Sequence, residues 1–136
     1  MEDSPTDSQK DFSQLLCIIE QLRGEQGCPW DRKQTPQTLK RYLLEECQEL
    51  IEAIDAQQRE GICEEIGDVL FLLGFLISIY AEQGHFSATD TFHGIISKMI
   101  RRHPHVFAGQ PVSDEQELKA QWQRIKAQEK GRVATE

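Results

Sequence analysis

The stretch VLFLLGFLISIY, from Val69 to Tyr80, is apolar on nearly every side of the helix it belongs to. That helix is predicted from about Ile62 to Gln83, with Gly84 closing it. A helix apolar all round cannot lie on a surface and needs neighbours on several sides. The run is only about a dozen residues long, well short of the ~20 needed to cross a bilayer, so it must be buried in protein.

The other helices supply the neighbours. Phe12, Leu15, Leu16, Ile18, Ile19 and Leu22 give a short first helix with a broad apolar face, ended by Gly24 and Gly27. GEQGCPWDRKQ reads as a loop. Thr35 and Pro36 then supply an N-cap and a first-turn proline for a long helix expected to stop near Gly61. Its stripe, Leu39, Leu43, Cys47, Leu50 and Ile54, is spaced four, four, three and four, a helical and not a strand period. Thr89 or Asp90 can cap a further helix bearing Phe92, Ile95, Ile96, Met99 and Ile100, which Pro104 terminates. Ser113 opens the last one, where SDEQ resembles a capping box. No alternating strand pattern, internal repeat or low-complexity tract is present, so the expected fold is an all-α bundle of four to five helices. Residues 11–130 are expected to form one domain, with 1–10 and 131–136 as flexible tails.

Phe71, Leu73, Phe75, Ile77 and Ile79 are read as pointing away from the face of Glu65, Asp68, Leu72 and Leu76. One chain would then leave an apolar face uncovered, and a dimer or higher oligomer is expected to bury it.

A net charge of -8 on 136 residues disfavours a chain that coats DNA or RNA, since neutralising phosphates takes a basic face. A small phosphate ligand brought in with a divalent cation is compatible with it. Cys17, Cys28, Cys47 and Cys63 form no CxxC pair, so neither a zinc ribbon nor a thioredoxin-like motif is present and free thiols are expected. The start MEDSPTDSQK is polar and acidic, unlike a secretory signal, and with the absence of a membrane span a cytoplasmic location is expected.

Glu46 and Glu49 are three residues apart on one helix, and Glu65 and Asp68 three apart on another, so each pair projects from one helical face. Glu46 falls within the arc of Leu39, Leu43 and Leu50, while Glu65 and Asp68 share a face with Leu72 and Leu76, so these carboxylates look inward. Inward anions repel one another and lose hydration unless a cation or bound protons relieve them. All-oxygen ligands favour Mg²⁺ or Mn²⁺ over Zn²⁺. Glu45, Glu52 and Glu64 lie nearer solvent. Against this, Glu-rich helical sequence is commonly just a solvated charged face.

Lys98, Arg101, Arg102, His103 and His105 crowd the end of the fourth helix. Lys98 and Arg102 are one turn apart and can reach one ligand, although cations at a helix C-terminus also meet the macrodipole without any ligand. The histidines read as packing or hydrogen-bonding groups. Trp30 and Trp122 can stack on a nucleobase or act as hydrophobic anchors. No GxxxxGK[ST] pattern occurs, which excludes a P-loop NTPase.

GCPWD (Gly27 to Asp31), YLLEECQELIEAI (Tyr42 to Ile54), EEIGDVLF (Glu64 to Phe71), RRHPHVF (Arg101 to Phe107) and WQRIKAQEK (Trp122 to Lys130) occur in this order. Together they resemble the MazG family of nucleoside triphosphate pyrophosphohydrolases over roughly residues 12–130. The resemblance implies a helical fold at least dimeric, and hydrolysis of NTP or dNTP to monophosphate and pyrophosphate. It implies Mg²⁺, with Mn²⁺ as a substitute, on Glu46, Glu49, Glu65 and Asp68. Glu45 would assist the attacking water, Lys98 and Arg102 would hold phosphates, and Arg101, Trp30, Trp122 and Lys126 would complete the substrate contacts. A catalytically silent helical dimerisation or nucleotide-binding module is the alternative.

Overall fold

The computed structural model describes residues 5–135 of the chain. Seven helices and no strand occur among them: α1 (Pro5–Leu22), α2 (Pro29–Lys33), α3 (Pro36–Asp55), α4 (Arg59–Glu82), α5 (Ala88–Arg102), α6 (Pro104–Phe107) and α7 (Glu115–Thr135). The five long helices are those expected from the sequence, and the two short ones each begin at a proline. Of the segments expected as tails, residues 1–4 and 136 lie outside the described residues, while 5–10 and 131–135 continue α1 and α7. Among the described residues no helix is long and apolar enough to cross a membrane. The chain clusters into two compact units, Met1–Ala88 and Thr89–Glu136.

In the first unit α4 packs against α3 and α1 around Ile19, Leu39, Leu72, Phe75 and Ile79. Burying each such side chain contributes about 1.5–3 kcal/mol. Thr35 starts α3 as expected. Its hydroxyl accepts the Thr38 N–H, and the Thr38 hydroxyl accepts the Thr35 N–H, with Pro36 in the first turn. The helix ends at Asp55, earlier than Gly61. Gln57 takes a left-handed φ of 56°, and Gln58 N–H reaches back to the Ala53 carbonyl at 3.2 Å, which caps the helix. The tight approach of α1 to α4 depends on Gly74, where a Cβ would come within 2.7 Å of Ile19 Cδ1.

The expected division of α4 into faces needs correction. Phe75 and Ile79 lie in the core beside Leu72, and the exposed residues are Ile66, Leu70 and Leu73. Alternate residues diverge around a helix, whereas positions three or four apart share a face, so Leu72, Phe75 and Ile79 form the buried stripe.

The loop after α1 is organised by Arg23. Its guanidinium grips both Glu82 carboxylate oxygens at 2.9 and 3.0 Å, donates to the carbonyls of Asp31 and Gln34, and lies over the Phe75 ring. Gly27 passes so close to the carbonyls of Gln21 and Leu22 that no Cβ fits there. These contacts fix α2 within what the sequence reads as loop.

In the second unit α7 begins at Glu115, two residues after Ser113. Asp114 accepts the Glu117 N–H at 2.8 Å, and the Glu117 carboxylate accepts the Ser113 N–H at 3.0 Å. The cap expected from SDEQ, with Ser113 and Gln116, is shifted by one residue: Asp114 and Glu117 supply the capping side chains.

Candidate metal centre and cationic cluster

Glu46, Glu49 and Glu65 each offer a carboxylate oxygen, and these oxygens lie within 4.8 Å of one another. α3 carries the first two and α4 the third, so the packing of this helix pair assembles the group. Glu46 and Glu65 are half-buried, and the Oε2 of each is hidden from solvent without a hydrogen-bond partner. Burial, then hydrogen bonding and charge from Glu49, then the charge of Asp68, raise Glu46 from 4.5 to about 7. Glu65 is also raised, first by burial and next by the charge of Glu49, with its hydrogen bond to Glu46 pulling the other way. Asp68 is exposed and adds negative charge to the group while standing outside its closest three.

Three converging carboxylates with two orphaned, buried oxygens need a bound cation or bound protons. The donors are all oxygen, which suits a hard divalent cation, so these residues fit one. Glu45 is exposed on the flank of α3 in a loose pair with Arg41 at 3.8 Å. Glu52 and Glu64, expected nearer solvent, are exposed.

Trp30 stands at 48% exposure on α2, edge-on to the Tyr42 ring of α3 with centroids 5.5 Å apart. Sequence pattern assigns no role to Tyr42 or to the anchoring Arg23, whose partner Glu82 is 59 residues away.

The second unit holds the cations. Lys98 is half-buried on α5. Arg101 and Arg102 both close on Glu129 of α7, at 2.7 and 2.9 Å, and hold its carboxyl down at about 2, Arg102 most. Glu129 stands inside WQRIKAQEK, but only folding reveals it as their partner. Trp122 and Lys126 come together, the ammonium 4.4 Å from the ring centroid. His103 Nδ1 lies 2.6 Å from the Met99 carbonyl, in keeping with a hydrogen-bonding role.

A family model described as the MazG nucleotide pyrophosphohydrolase domain matches residues 34–107. The chain belongs to this family. That match spans the three converging carboxylates, Asp68 and the RRHPHVF run. The chain is 49% identical over 121 residues to the nucleoside triphosphate pyrophosphohydrolase/pyrophosphatase MazG of Thermotoga maritima, covering 89% of this chain and 46% of that protein. It is 39% identical over 124 residues to the nucleoside triphosphate pyrophosphohydrolase of Escherichia coli K12, covering 90% and 47%. The uncharacterized protein YabN of Bacillus subtilis is 48% identical over 120 residues, covering 88% of this chain and 24% of that protein. The chain thus spans about half or less of the length of these relatives. Among solved structures, a mazG-related protein from Thermotoga maritima superposes with a TM-score of 0.72 at 28% identity, covering 85% of this chain and 98% of that one.

Proposed function

We propose that this MazG-family chain hydrolyses nucleoside triphosphates, ribo- or deoxyribo-, to the monophosphate and pyrophosphate, as cytoplasmic nucleotide-pool housekeeping. The carrying observation is the convergence of Glu46, Glu49 and Glu65 with two buried, unpartnered oxygens. In this reading they hold Mg²⁺, or Mn²⁺ in its place, with Asp68 as a further ligand. A cation bound there would acidify a water and offset phosphate charge.

The chain's own groups do the rest. Glu45, on the exposed flank of α3, accepts the proton of the attacking water. Lys98 and Arg102 bind the phosphates and stabilise the negative charge that develops on departing pyrophosphate, with Arg101 assisting. Glu129 holds the two arginine forks in place. Trp30, Trp122 and Lys126 contact the nucleoside end of the substrate. A net charge of -8 argues against a nucleic-acid polymer as partner. The exposed stripe Ile66, Leu70 and Leu73 supports a homodimer or higher homo-oligomer.

Incubation with a panel of NTPs and dNTPs plus Mg²⁺, followed by assay of pyrophosphate and monophosphate, tests this. Stoichiometric release of both is the expected result. No release from any nucleotide would leave a helical dimerisation or nucleotide-binding module as the better account.

A further inference from the structure

Gln34, Gln37, Thr38, Arg41 and Tyr42 line a surface groove of about 400 Å³ at the start of α3. Thr38, Tyr42, Glu45 and Glu49 follow one another at intervals of four, three and four, so groove and carboxylates are consecutive stretches of one helical stripe. At 1.5 Å per residue, Tyr42 and Glu49 stand ~10 Å apart along the axis, a span of the order that separates the base of a nucleotide from its outer phosphates.

One wall, Tyr42, is aromatic, and it is braced. The Trp30 ring meets Tyr42 edge-on at 5.5 Å. Gln34 donates to the Trp30 carbonyl at 2.9 Å and accepts from the Thr38 hydroxyl at 2.8 Å. Arg23 holds the Asp31 and Gln34 carbonyls from behind. The polar groups of Gln34 are therefore committed, and Thr38 is engaged with Gln34 and Thr35. The amide of Gln37, on the exposed rim, has no hydrogen-bond partner among the described residues. Arg41 lies over the Tyr42 face with its guanidinium 5.0 Å from the ring centroid. Its side chain is 72% exposed, it donates to the Tyr42 hydroxyl at 3.1 Å and its pair with Glu45 is long at 3.8 Å, so an entering base displaces only contacts at the surface, where water can replace them.

We propose that this groove receives the nucleobase of the substrate. The base enters between the Tyr42 ring and the Arg41 guanidinium, and the Gln37 amide, donor and acceptor both, hydrogen-bonds its edge. Tyr42 provides affinity common to all bases, since each has a π-face, while Gln37 provides discrimination among them. The inference rests on the hydrolase reading for the placement of phosphates at the carboxylates.

Calorimetric titration with α,β-imido nucleoside triphosphates, and separately with inorganic tripolyphosphate, each with Mg²⁺, tests it. Tyr42→Ala is expected to weaken nucleotide binding roughly ten- to a hundredfold and to leave tripolyphosphate within about twofold, with Tyr42→Phe restoring affinity. Gln37→Ala, at an exposed position that cannot unfold the chain, is expected to change the ratio of affinities among the four bases at least about threefold. Equal loss for nucleotide and tripolyphosphate, unchanged base ratios in Gln37→Ala, or no nucleotide binding at all would overturn the proposal. Should Tyr42→Ala fail to fold, the base ratios of Gln37→Ala decide alone. Selective nucleotide binding without pyrophosphate release would defeat only the hydrolase reading, whereas release indifferent to these substitutions would defeat only the groove.

Discussion

Glu46 on α3 and Glu65 on α4 each bury an Oε2 that meets neither solvent nor a hydrogen-bond partner, although both belong to the same close group of carboxylates. Two like charges in that position weaken the α3–α4 pairing on which the core depends. Glu46→Gln is therefore expected to raise the metal-free melting temperature by about 2–5 °C while abolishing most turnover. Glu49→Gln, Glu65→Gln and Asp68→Asn are each expected to abolish most turnover too, with the helical fold kept, whereas Glu52→Gln changes little. Calorimetric Mg²⁺ titration checks the ligand assignment: any of the four variants with wild-type Mg²⁺ affinity and activity leaves the ligand set.

The same group sets a pH dependence. Glu46 has its value raised in the folded chain, from 4.5 to about 7. Below about pH 4.5 the proton is bound in both states; between there and about pH 7 only the folded state keeps it. The stabilising contribution is thus complete below the unfolded value and is lost as pH rises through about 7. Thermal melts of the metal-free protein should show this falling component, and Glu46→Gln should remove it. Glu129 acts oppositely: held at about 2 by Arg102 and Arg101, it contributes stability above 4.5 that is lost as pH falls toward 2. A melting curve in which Glu46→Gln and wild type run parallel from pH 4.5 to 8 would contradict the assignment.

What was legible in the sequence was whatever is local. The capped start of α3 and the inward phase of Glu46 and Glu65 follow from spacings of three or four residues, while the cap of α7 was legible only to within one residue. The five-residue α2 carries no periodicity to read, and its place is set by Arg23 and Gly27 through contacts made only in the folded chain. That Arg101 and Arg102 share Glu129 is not legible in the sequence, because Glu129 is 28 and 27 residues further on. The apolar run in α4 showed that several sides are covered without showing which. Phe75 and Ile79 belong with Leu72 because positions three and four apart share a helical face, whereas a grouping of alternate residues spreads around the helix, and in a run that is apolar nearly throughout no polar residue flags the difference.

Lys98→Ala and Arg102→Ala are expected to lower kcat/KM while leaving Mg²⁺ affinity near wild type, since they meet the substrate and not the ion. Charge-assisted contacts to phosphate contribute about 1.5–3 kcal/mol each, or ten- to over a hundredfold. Arg102→Ala also removes the stronger of two partners from Glu129, so it should lose some stability as well. Steady-state kinetics decide: if both variants keep the wild-type kcat/KM, the cations serve the end of α5 alone.

Oligomer formation now depends on a definite set of residues. Ile66, Leu70 and Leu73 on α4 are 45%, 38% and 43% exposed, and Leu44, Ile51 and Ile54 on α3 are 73%, 51% and 51% exposed. At ~100° per residue, Ile66, Leu70 and Leu73 fall within one arc of ~60°, roughly opposite the core face of Leu72, Phe75 and Ile79. The α4 stripe leaves three large apolar side chains open on one side, which water does not favour, and a second copy can cover it symmetrically. Leu70→Asp places a charge in that contact and should release helical monomers of 15.6 kDa. Phe75→Asp instead buries a charge at a position with 0% exposure and should unfold the chain. Light scattering with circular dichroism separates the two outcomes. A wild-type protein that stays an active 15.6 kDa monomer at micromolar concentration would show that the stripe is covered within one chain.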